Sequence, residues 1–286
     1  NLFPEVFRAQ RELMPRAVVI ENVRGILRES LAPFVRYIQL QLALPNVVSQ
    51  GNSSGSDWQA HLATLERAKD SRNRAGCRYR VAVFLLQAAD FGVAQRRQRV
   101  FFVAFREDIG ASPIPPGATH SGDALLIEKW VTGEYWSRHG LRRPRAAPPA
   151  VRSRVRGLCD ADPRLFGKPW RTVRDALEGL PSPHATAADI ERVANHRFQP
   201  GARSYPGHTG SPLDEPAKTL KAGVHGVPGG ENMLRYPNGR VRYFTVREAA
   251  RLQEFPDNYV FHGAWGEAMR QIGNAVPVAL ADAVAE

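Results

Sequence analysis

Apolar positions in the first forty residues follow a helical period, then a strand-like run, then a helical period again. Apolar residues recur at helical spacing over residues 2–14 and 30–43, which predicts two amphipathic helices. Between them, residues 17–20 form an apolar run with three β-branched side chains, typical of a strand buried on both faces of a parallel sheet. This strand ends at residues 21–23. Helix, strand and helix in this order indicate an open α/β sheet.

Two further strands are predicted at 79–86 and 99–106, where β-branched and aromatic residues are frequent. The segment 89–98 between them has the composition of a turn. Because so short a segment connects the strands, we expect them to be antiparallel neighbours, at one edge of the sheet. A polar stretch at 46–57, rich in Gly, Ser and Asn, predicts a loop.

The chain changes character between residues 107 and 240. Most of the prolines lie there and the hydrophobic periodicity is weak, so we expect a separate, loop-rich region. Within it, residues 136–158 contain seven arginines and no acidic residue. Pro144, Pro148 and Pro149 interrupt this run, so it cannot form one continuous helix.

Regular structure is predicted to return near the C-terminus. Thr245 and Glu248 have the spacing of a capping box and predict a helix that reaches about Glu254. A second helix is expected to end at Gly273 in a left-handed cap, and Pro277 is expected to start the last helix.

An excess of basic residues narrows the choice of partner. Lys and Arg number 39 against 28 Asp and Glu, which gives a net charge of +11 and a pI near 10.2. This balance favours a polyanion, with nucleic acid as the leading candidate. The sequence has neither an apolar run of spanning length nor a signal-peptide pattern at its start, so we expect a soluble, cytoplasmic protein.

Cysteine and histidine content argues against a metal site or a disulfide framework. The two cysteines, Cys77 and Cys159, are too few for a four-cysteine zinc site or a set of disulfides. His196 and His208 have no second pair at metal-ligand spacing, so we expect no metal.

Charged residues next to the predicted strands are candidates for chemistry. Glu21 would lie at the carboxyl end of its strand, where open α/β folds build their sites, although a strand-ending Glu is commonly a solvated or capping residue. Arg97 and Arg99 are two apart and would share one face of an extended segment. They could bind a phosphate, a carboxylate or a base edge, or form a solvated basic turn.

Two glycine-containing segments offer weaker signals. The stretch 222–230 makes a poor phosphate loop because no clear strand precedes it and no clear helix follows, so we interpret it as a contact loop. The segment 273–277 joins two predicted helices and could be only a connector.

Four segments, taken in order, resemble the later motifs of DNA cytosine-C5 methyltransferases of the bacterial type. A further stretch, between 206 and 232, is similar to the target recognition region of that family. The four motif-like segments are Glu-Asn-Val at 21–23, Gln-Arg-Arg-Gln-Arg at 95–99, Thr-Val-Arg-Glu through Phe-Pro at 245–256, and Gln-Ile-Gly-Asn-Ala-Val-Pro at 271–277.

The resemblance implies a fold and a division of the chain. The fold would be α/β, part of a Rossmann-like methyltransferase sheet with a smaller, loop-rich target recognition domain. Residues 1–106 would be the C-terminal part of the catalytic domain, 107–240 the target recognition domain, and 241–286 helices that return to the catalytic domain.

It also implies a reaction and roles for three residues. In the family a cytosine flips out of double-stranded DNA, a cysteine adds to ring carbon C6, and S-adenosylmethionine donates the methyl group to C5. Glu21 would hydrogen-bond the cytosine N3 and exocyclic amine, and Arg99 would contact O2. Arg97 would hold the neighbouring catalytic geometry or bind a phosphate.

Other site residues follow from the same resemblance. Asn274 and Ala275 match positions that border the S-adenosylmethionine pocket. Thr219 resembles a residue that contacts a phosphate beside the flipped base. The remaining positions predicted to contact DNA are Asn22, Gln95 and Lys221.

Two family motifs are not found in the 286 residues: the Phe-x-Gly-x-Gly loop that holds the methyl donor and the Pro-Cys pair that supplies the nucleophile. Neither Cys77 nor Cys159 has the neighbours or the position of that cysteine. We therefore expect a fragment or subunit that is inactive alone and is completed by an upstream segment or a second polypeptide.

The alternative is a catalytically inactive, sequence-specific DNA-binding module. An unrelated nucleotide-binding α/β protein is disfavoured because no phosphate-cradling loop follows a strand. If strands of the sheet are supplied from elsewhere, we expect this chain alone to expose apolar faces and to be poorly soluble or to associate.

Overall fold

A computed structural model describes residues 2–48, 58–70, 76–184, 186, 192–222 and 232–286. The chain divides into two compact units. Unit 1 comprises residues 1–86 and 98–115, and unit 2 comprises 87–97 and 116–286. The predicted glycine-rich contact loop at 222–230, apart from Ala222, and most of the loop at 46–57 lie outside the described residues.

Unit 1 is a three-stranded sheet with helices, and it confirms the predicted helices and strands. Its helices are α1 (Phe3–Leu13), α2 (Ala32–Ala43) and α3 (Trp58–Asp70). Its strands are β1 (Ala17–Val23), β2 (Tyr79–Gln87) and β4 (Gln98–Arg106), with the short strand β3 (Gln95–Arg96) belonging to unit 2.

The sheet has the order β1-β4-β2. β1 runs antiparallel to β4, with Glu21 opposite Phe101 and Val23 opposite Arg99. β2 and β4 are neighbours, as predicted, and hydrogen bonds between residues 88 and 97 at one end and 78 and 107 at the other make them antiparallel. The expectation that β1 belongs to a parallel ladder is therefore wrong for the partner it has here.

The expectation that β1 is buried on both faces is also wrong. Val18 and Ile20 pack into the core that α1 and α2 cover, whereas Val19 and Val23 are 51% and 54% exposed. Side chains alternate between the faces of a strand, so one face of β1 packs inward while the other carries exposed valines and Glu21. A short apolar run without polar alternation is compatible with a strand that is buried on both faces and with a strand that is buried on a single face.

The core of unit 1 lies between its helices and one face of the sheet. Phe7 of α1 and Ile38 and Leu42 of α2 pack against Phe102 and Val100 of β4. These side chains are between 0% and 3% exposed, which makes this face the hydrophobic anchor of β4.

Helix α3 was not predicted from the sequence. It packs on α2 through Leu65 against Leu40 and Leu44, and an ion pair of 2.7 Å joins Arg36 to Glu66. Its apolar positions are few because it covers another helix rather than the sheet, so its periodic signal is weak.

Unit 2 contains short strands and short helices. Its strands after β3 are β5 (His120–Ser121), β6 (Lys168–Pro169), β7 (Ser211–Pro212), β8 (Ala217–Lys218), β9 (Met233–Arg235) and β10 (Val241–Tyr243). Its helices are Gly122–Leu126, Glu134–Arg138, Pro149–Leu158, Val173–Leu177, Val246–Leu252, Trp265–Asn274 and Val278–Ala285, with a π-helical turn at Ile127–Thr132.

The arginine run at 136–158 is interrupted in the structure. As predicted, residues 136–158 do not form one helix, because a segment containing the prolines separates Glu134–Arg138 from Pro149–Leu158. The predicted functional division at 106 and 240 stays a prediction. The two compact units divide the chain differently, since 116–240 and 241–286 lie together in unit 2. The shared core explains this, because Phe244 and Ile272 pack with Val173 and Leu220.

The predicted capping box is confirmed. The Thr245 hydroxyl accepts a hydrogen bond from the Glu248 backbone N–H, and the Glu248 carboxylate accepts one from the Thr245 N–H. Arg242 donates two 2.6 Å hydrogen bonds to the same carboxylate. His196 accepts from the Thr245 hydroxyl at Nδ1 if its Nε2 donates to the Pro181 carbonyl, so this histidine is occupied in packing the helix start.

Gly273 corrects the expectation of a left-handed cap. It lies inside the helix Trp265–Asn274, and its φ is not positive. A Cβ at Gly273 would stand 2.5 Å from the backbone N of Ala222. Glycine is needed there because two backbone segments touch, not because the chain turns.

We predict that Gly273→Ala destabilises the protein by roughly 1–3 kcal/mol, because the new methyl group collides with backbone that cannot swing aside. Chemical denaturation monitored by circular dichroism would measure this loss. Gly266→Ala in the same helix is the matched control, since a Cβ there meets nothing within 4 Å. It should leave stability unchanged or raise it by a few tenths of a kcal/mol. Equal effects of the two substitutions would contradict the proposed contact.

Candidate active site

Glu21 and Arg99 meet on the face of the sheet opposite α1 and α2. Arg99 is directly opposite Val23, and Glu21 is two residues before Val23, so the two charged side chains are diagonal neighbours on one face. Arg99 Nε lies 2.6 Å from Glu21 Oε1. The register of the two strands thus brings together a carboxylate and a guanidinium that are 78 positions apart in the chain.

The pair combines a buried cation with a reachable anion. The Arg99 side chain is 9% exposed and that of Glu21 is 30% exposed. Burial lowers the pKa of Arg99, and the nearby Glu21 carboxylate opposes this shift. Arginine remains a cation at neutral pH after such a shift, since its ordinary pKa is far above 7. Among the described residues, none donates a hydrogen bond to the second carboxylate oxygen, Oε2.

Asn22 follows Glu21 and caps the strand end. Its Oδ1 accepts a hydrogen bond from the Val23 backbone N–H at 2.9 Å. Two residues further along, Arg24 donates to the Gln98 side chain at 2.9 Å. These contacts hold the backbone on either side of the Glu21–Arg99 pair.

Arg97 belongs to unit 2 and is fully buried, with 0% exposure. Its guanidinium donates hydrogen bonds to the carbonyl oxygens of Leu220 at 3.0 Å, Gly273 at 2.6 Å and Ala275 at 2.9 Å. These contacts enclose the guanidinium and leave it no exposed donor for a phosphate, so they do not favour the expectation that Arg97 binds one. The other expectation, that it holds neighbouring geometry, is compatible with these contacts and stays a prediction.

Gln95 reinforces the same connection. It is 0% exposed, donates to the Leu252 carbonyl at 3.1 Å and accepts from the Leu220 N–H at 2.9 Å. Both ends of the amide are used inside the protein, and the predicted contact of Gln95 with DNA stays a prediction. Thr219, partly exposed, donates to the Arg96 carbonyl at 2.7 Å.

Asn232 is a residue that the sequence did not single out. Its carboxamide accepts from the Lys221 N–H at 3.0 Å and donates to the Lys221 carbonyl at 3.1 Å. A side chain that pairs with both backbone groups of one residue fixes that residue as a strand partner would. The Lys221 side chain is exposed, which agrees with its predicted contact with DNA without testing it. No sequence pattern marks Asn232, because its role depends on a distant backbone.

Asn274 and Ala275 stand at the segment that Arg97 holds. Asn274 is exposed and Ala275 is half-buried, and the Ala275 carbonyl is one of the three acceptors of Arg97. An exposed amide beside a small side chain suits the border of a nucleoside pocket. Their place at the border of the S-adenosylmethionine pocket stays a prediction, and two such residues do not by themselves enclose a ligand.

Cys77 lies at the opposite end of the unit 1 sheet from Glu21. Glu21 pairs with Phe101, whereas Arg78, next to Cys77, accepts a hydrogen bond from the Glu107 N–H. Six residues of extended strand separate these two levels, which is roughly 20 Å. Cys77 is therefore out of reach of a base held by Glu21.

Cys159 lies at the end of the helix Pro149–Leu158 and is exposed. Its thiol donates to the Val155 carbonyl. Within the described residues, no cluster of three or more metal-ligating side chains occurs. The same described ranges contain no helix long and apolar enough to cross a bilayer.

Comparison with known proteins identifies the family. The profile of the C-5 cytosine-specific DNA methylase family matches residues 31–133 and 171–286, well over half of the chain. This chain therefore belongs to the C-5 cytosine-specific DNA methylase family. Membership confirms the family to which the motif resemblance points. The motifs at 95–99, 245–256 and 271–277 lie inside the matched segments, and the motif at 21–23 precedes them. The helices and strands described above agree with the expected α/β class.

Curated relatives are bacterial. The Type II methyltransferase M.XorII of Xanthomonas oryzae pv. oryzae is 30% identical over 97% of this chain and 59% of its own length. The Type II methyltransferase M.NgoFVII of Neisseria gonorrhoeae is 27% identical over 97% of this chain and also 59% of its own length. The chain thus spans about three fifths of the length of these relatives.

Among solved structures, the S. pombe Dnmt2 methyltransferase aligns over 99% of this chain and 68% of its own, at 14% identity and a TM-score of 0.47. A likeness at this level adds nothing to the family assignment, which rests on sequence.

We predict that Arg97→Ala lowers the free energy of unfolding by about 3 kcal/mol or more, because it leaves two buried carbonyls and one partly buried carbonyl without this donor. Urea denaturation would measure the loss. Arg96→Ala is the matched control, because Arg96 precedes Arg97 in the chain, is 53% exposed and pairs with Glu215 at 3.0 Å. An exposed pair of this kind contributes at most about 1 kcal/mol. A loss for Arg97→Ala no larger than that of the control would contradict the structural role of Arg97.

Proposed function

We propose that this chain forms the base-binding part of a DNA cytosine-C5 methyltransferase that acts on a flipped-out cytosine in a specific duplex sequence. The Glu21–Arg99 pair is the observation that carries the proposal, because it combines an accessible carboxylate with a buried guanidinium on adjacent strands. Family membership supports the reaction class. The relatives named Type II methyltransferases support a role in bacterial restriction-modification, in the cytoplasm near the nucleoid.

The chemistry asks two things of the pair. Glu21 accepts from the exocyclic amine of cytosine and shares a proton with N3, which drains electron density from the ring. Arg99 donates to O2, where negative charge also grows as a nucleophile adds to the ring. A cation held at 9% exposure interacts with this charge more strongly than a solvated one would, since the local dielectric is low.

Arg97 acts as a positioning residue in this proposal. By holding the carbonyls of Leu220 and of residues 273 and 275, it fixes the segment that carries Thr219 and Lys221 against the segment that carries Asn274. S-adenosylmethionine, when bound, supplies the methyl group. Asn274 and Ala275 border its site, and Asn22, Thr219 and Lys221 face DNA.

The nucleophile is proposed to come from outside these 286 residues. Cys77 stands roughly 20 Å from the level of Glu21 along the sheet, and Cys159 lies at the end of an exposed helix. An upstream segment or a second polypeptide would then supply the attacking thiol and the main loop for the methyl donor. The positions of Cys77 and Cys159, away from the Glu21–Arg99 pair in the one case and at a helix end in the other, also suit the alternative. In that alternative the chain is a module that binds a specific DNA sequence without transferring a methyl group.

We predict that the 286-residue chain alone transfers no methyl group to DNA, because no thiol reaches the base. Incorporation of tritium from labelled S-adenosylmethionine into duplex DNA measures this. Adding a segment with the Phe-x-Gly-x-Gly and Pro-Cys motifs of a relative should restore incorporation. Robust transfer by the chain alone would overturn the proposed source of the nucleophile, and failure of every completed form would favour the binding module.

In the completed protein, Glu21→Gln should lower the methylation rate by about a hundredfold or more, because the amide cannot share a proton with N3. Duplex affinity, measured by fluorescence anisotropy, should stay within about twofold, since phosphate contacts supply most of it. Glu29→Gln, an exposed residue of unit 1, is the matched control and should change neither quantity. A Glu21→Gln protein that methylates at the control's rate would contradict the role of Glu21.

A further inference from the structure

Residues 134–170 fall between the two segments that match the family profile. We call this stretch the arginine insertion. It contains nine Lys and Arg residues and three acidic residues, so it carries +6 of the net charge of +11. More than half of the basic excess is therefore concentrated in 37 of the 286 residues, in a part of the chain that the family profile does not describe.

The arginine insertion is folded against the rest of unit 2. Trp136 is 6% exposed and its indole N–H donates to the Lys129 carbonyl at 2.7 Å. Leu158 is 3% exposed, and Val151 and Val155 lie on the same side of the helix Pro149–Leu158 at helical spacing. This apolar stripe packs inward, which leaves the other side of the helix to solvent.

Five arginines of the insertion are exposed and lack an acidic partner among the described residues. One of them, Arg143, donates to the Trp130 and Val131 carbonyls outside the insertion, which leaves four. Arg152 and Arg156 are one turn apart on the solvent side of the helix, about 6 Å along its axis. Arg142 and Arg145 lie in the segment before it, beside Pro144. Arg152 also donates to the Ala147 carbonyl at 2.8 Å, a hydrogen bond that orients the side chain without neutralising it.

Other arginines of the insertion are used to hold it in place. Arg138 pairs with Glu128 and with Asp175, and Arg154 pairs with Asp123. The insertion therefore separates its arginines into a group that forms ion pairs within unit 2 and a group left uncompensated on the surface. The uncompensated guanidinium groups repel one another on the folded surface, and a bound polyanion would neutralise them and relieve that repulsion.

We propose that the arginine insertion is a docking surface for the phosphate backbone of duplex DNA, to which Arg142, Arg145, Arg152 and Arg156 bind. The inference rests on the proposed function, which makes duplex DNA the polyanion that this protein meets. A guanidinium donates two parallel hydrogen bonds to a phosphate, which suits arginine better than lysine to this task. Such phosphate binding adds affinity for any sequence and leaves recognition of the target to other residues.

The test compares two variants of the whole 286-residue chain. The insertion variant replaces the four phosphate-binding arginines by alanine. The control variant removes four basic side chains of unit 1, on α1, before β1 and on α3, and so removes the same charge. Its substitutions are Arg11→Ala, Arg16→Ala, Arg67→Ala and Lys69→Ala. Unfolding curves that match the wild type establish that both variants are folded.

Binding is measured by anisotropy of a fluorescein-labelled duplex of random sequence across a series of salt concentrations. For the insertion variant we expect affinity to fall about tenfold or more, and the slope of log K against log salt to shrink by up to about four, one for each phosphate that is no longer neutralised. The control should stay within about twofold of the wild type. A variant with lysine at the same four positions should retain most of the affinity, because the positive charges remain.

The outcomes distinguish failure of the docking surface from failure of the proposed function. If the wild type binds the duplex and the insertion variant binds it equally, with the same salt slope, the docking surface is refuted while the proposed function stands. The same measurement is made with a labelled RNA duplex. If the insertion variant loses affinity for the RNA duplex and keeps it for DNA, the surface serves a different nucleic acid and the proposal also fails. If the wild type does not bind duplex DNA at all, the proposed function fails together with the inference.

Discussion

The antiparallel register of β1 and β4 is the constraint on which the candidate site depends. Glu21 and Arg99 meet only because Val23 is opposite Arg99. A slip of one residue would turn Glu21 to the face that α1 and α2 cover, and would turn Val18 and Ile20 outward. The hydrophobic packing of Phe102 and Val100 against those helices therefore fixes the position of a charged pair that touches none of them.

Unit 2 depends on a buried cation, the guanidinium of Arg97, rather than on the pairing register of long strands. The helices and strands around Arg97 are short, and the segment at 219–221 has little regular structure of its own. Backbone carbonyls in such segments need donors, and one guanidinium supplies three of them. Gln95 and Asn232 do the same with amides, so polar side chains provide the order that longer sheets provide elsewhere.

Local patterns in the sequence predicted much of the fold, and the motif resemblance predicted the family. The helices at 2–14 and 30–43, the strands at 79–86 and 99–106 and the capping box at Thr245 all follow from spacing that neighbouring residues set. Local spacing did not predict the antiparallel direction of β1, the helix α3 or the burial of Gln95. Each of these features depends on which distant segment packs alongside. Glu21 and Arg99 were predicted as site residues, but their direct ion pair could not be deduced without the register.

Gly273 shows how a strict requirement for one residue type can arise without chemistry. Its hydrogen atom faces the backbone of Ala222, with no room for any side chain, and glycine has no functional group with which to bind a substrate. In a survey that substitutes every position and selects for activity, residue 273 would score like a catalytic residue. Mutational intolerance at this position therefore reports the closeness of two backbones, and only a parallel measurement of protein abundance would distinguish it from a direct loss of catalysis.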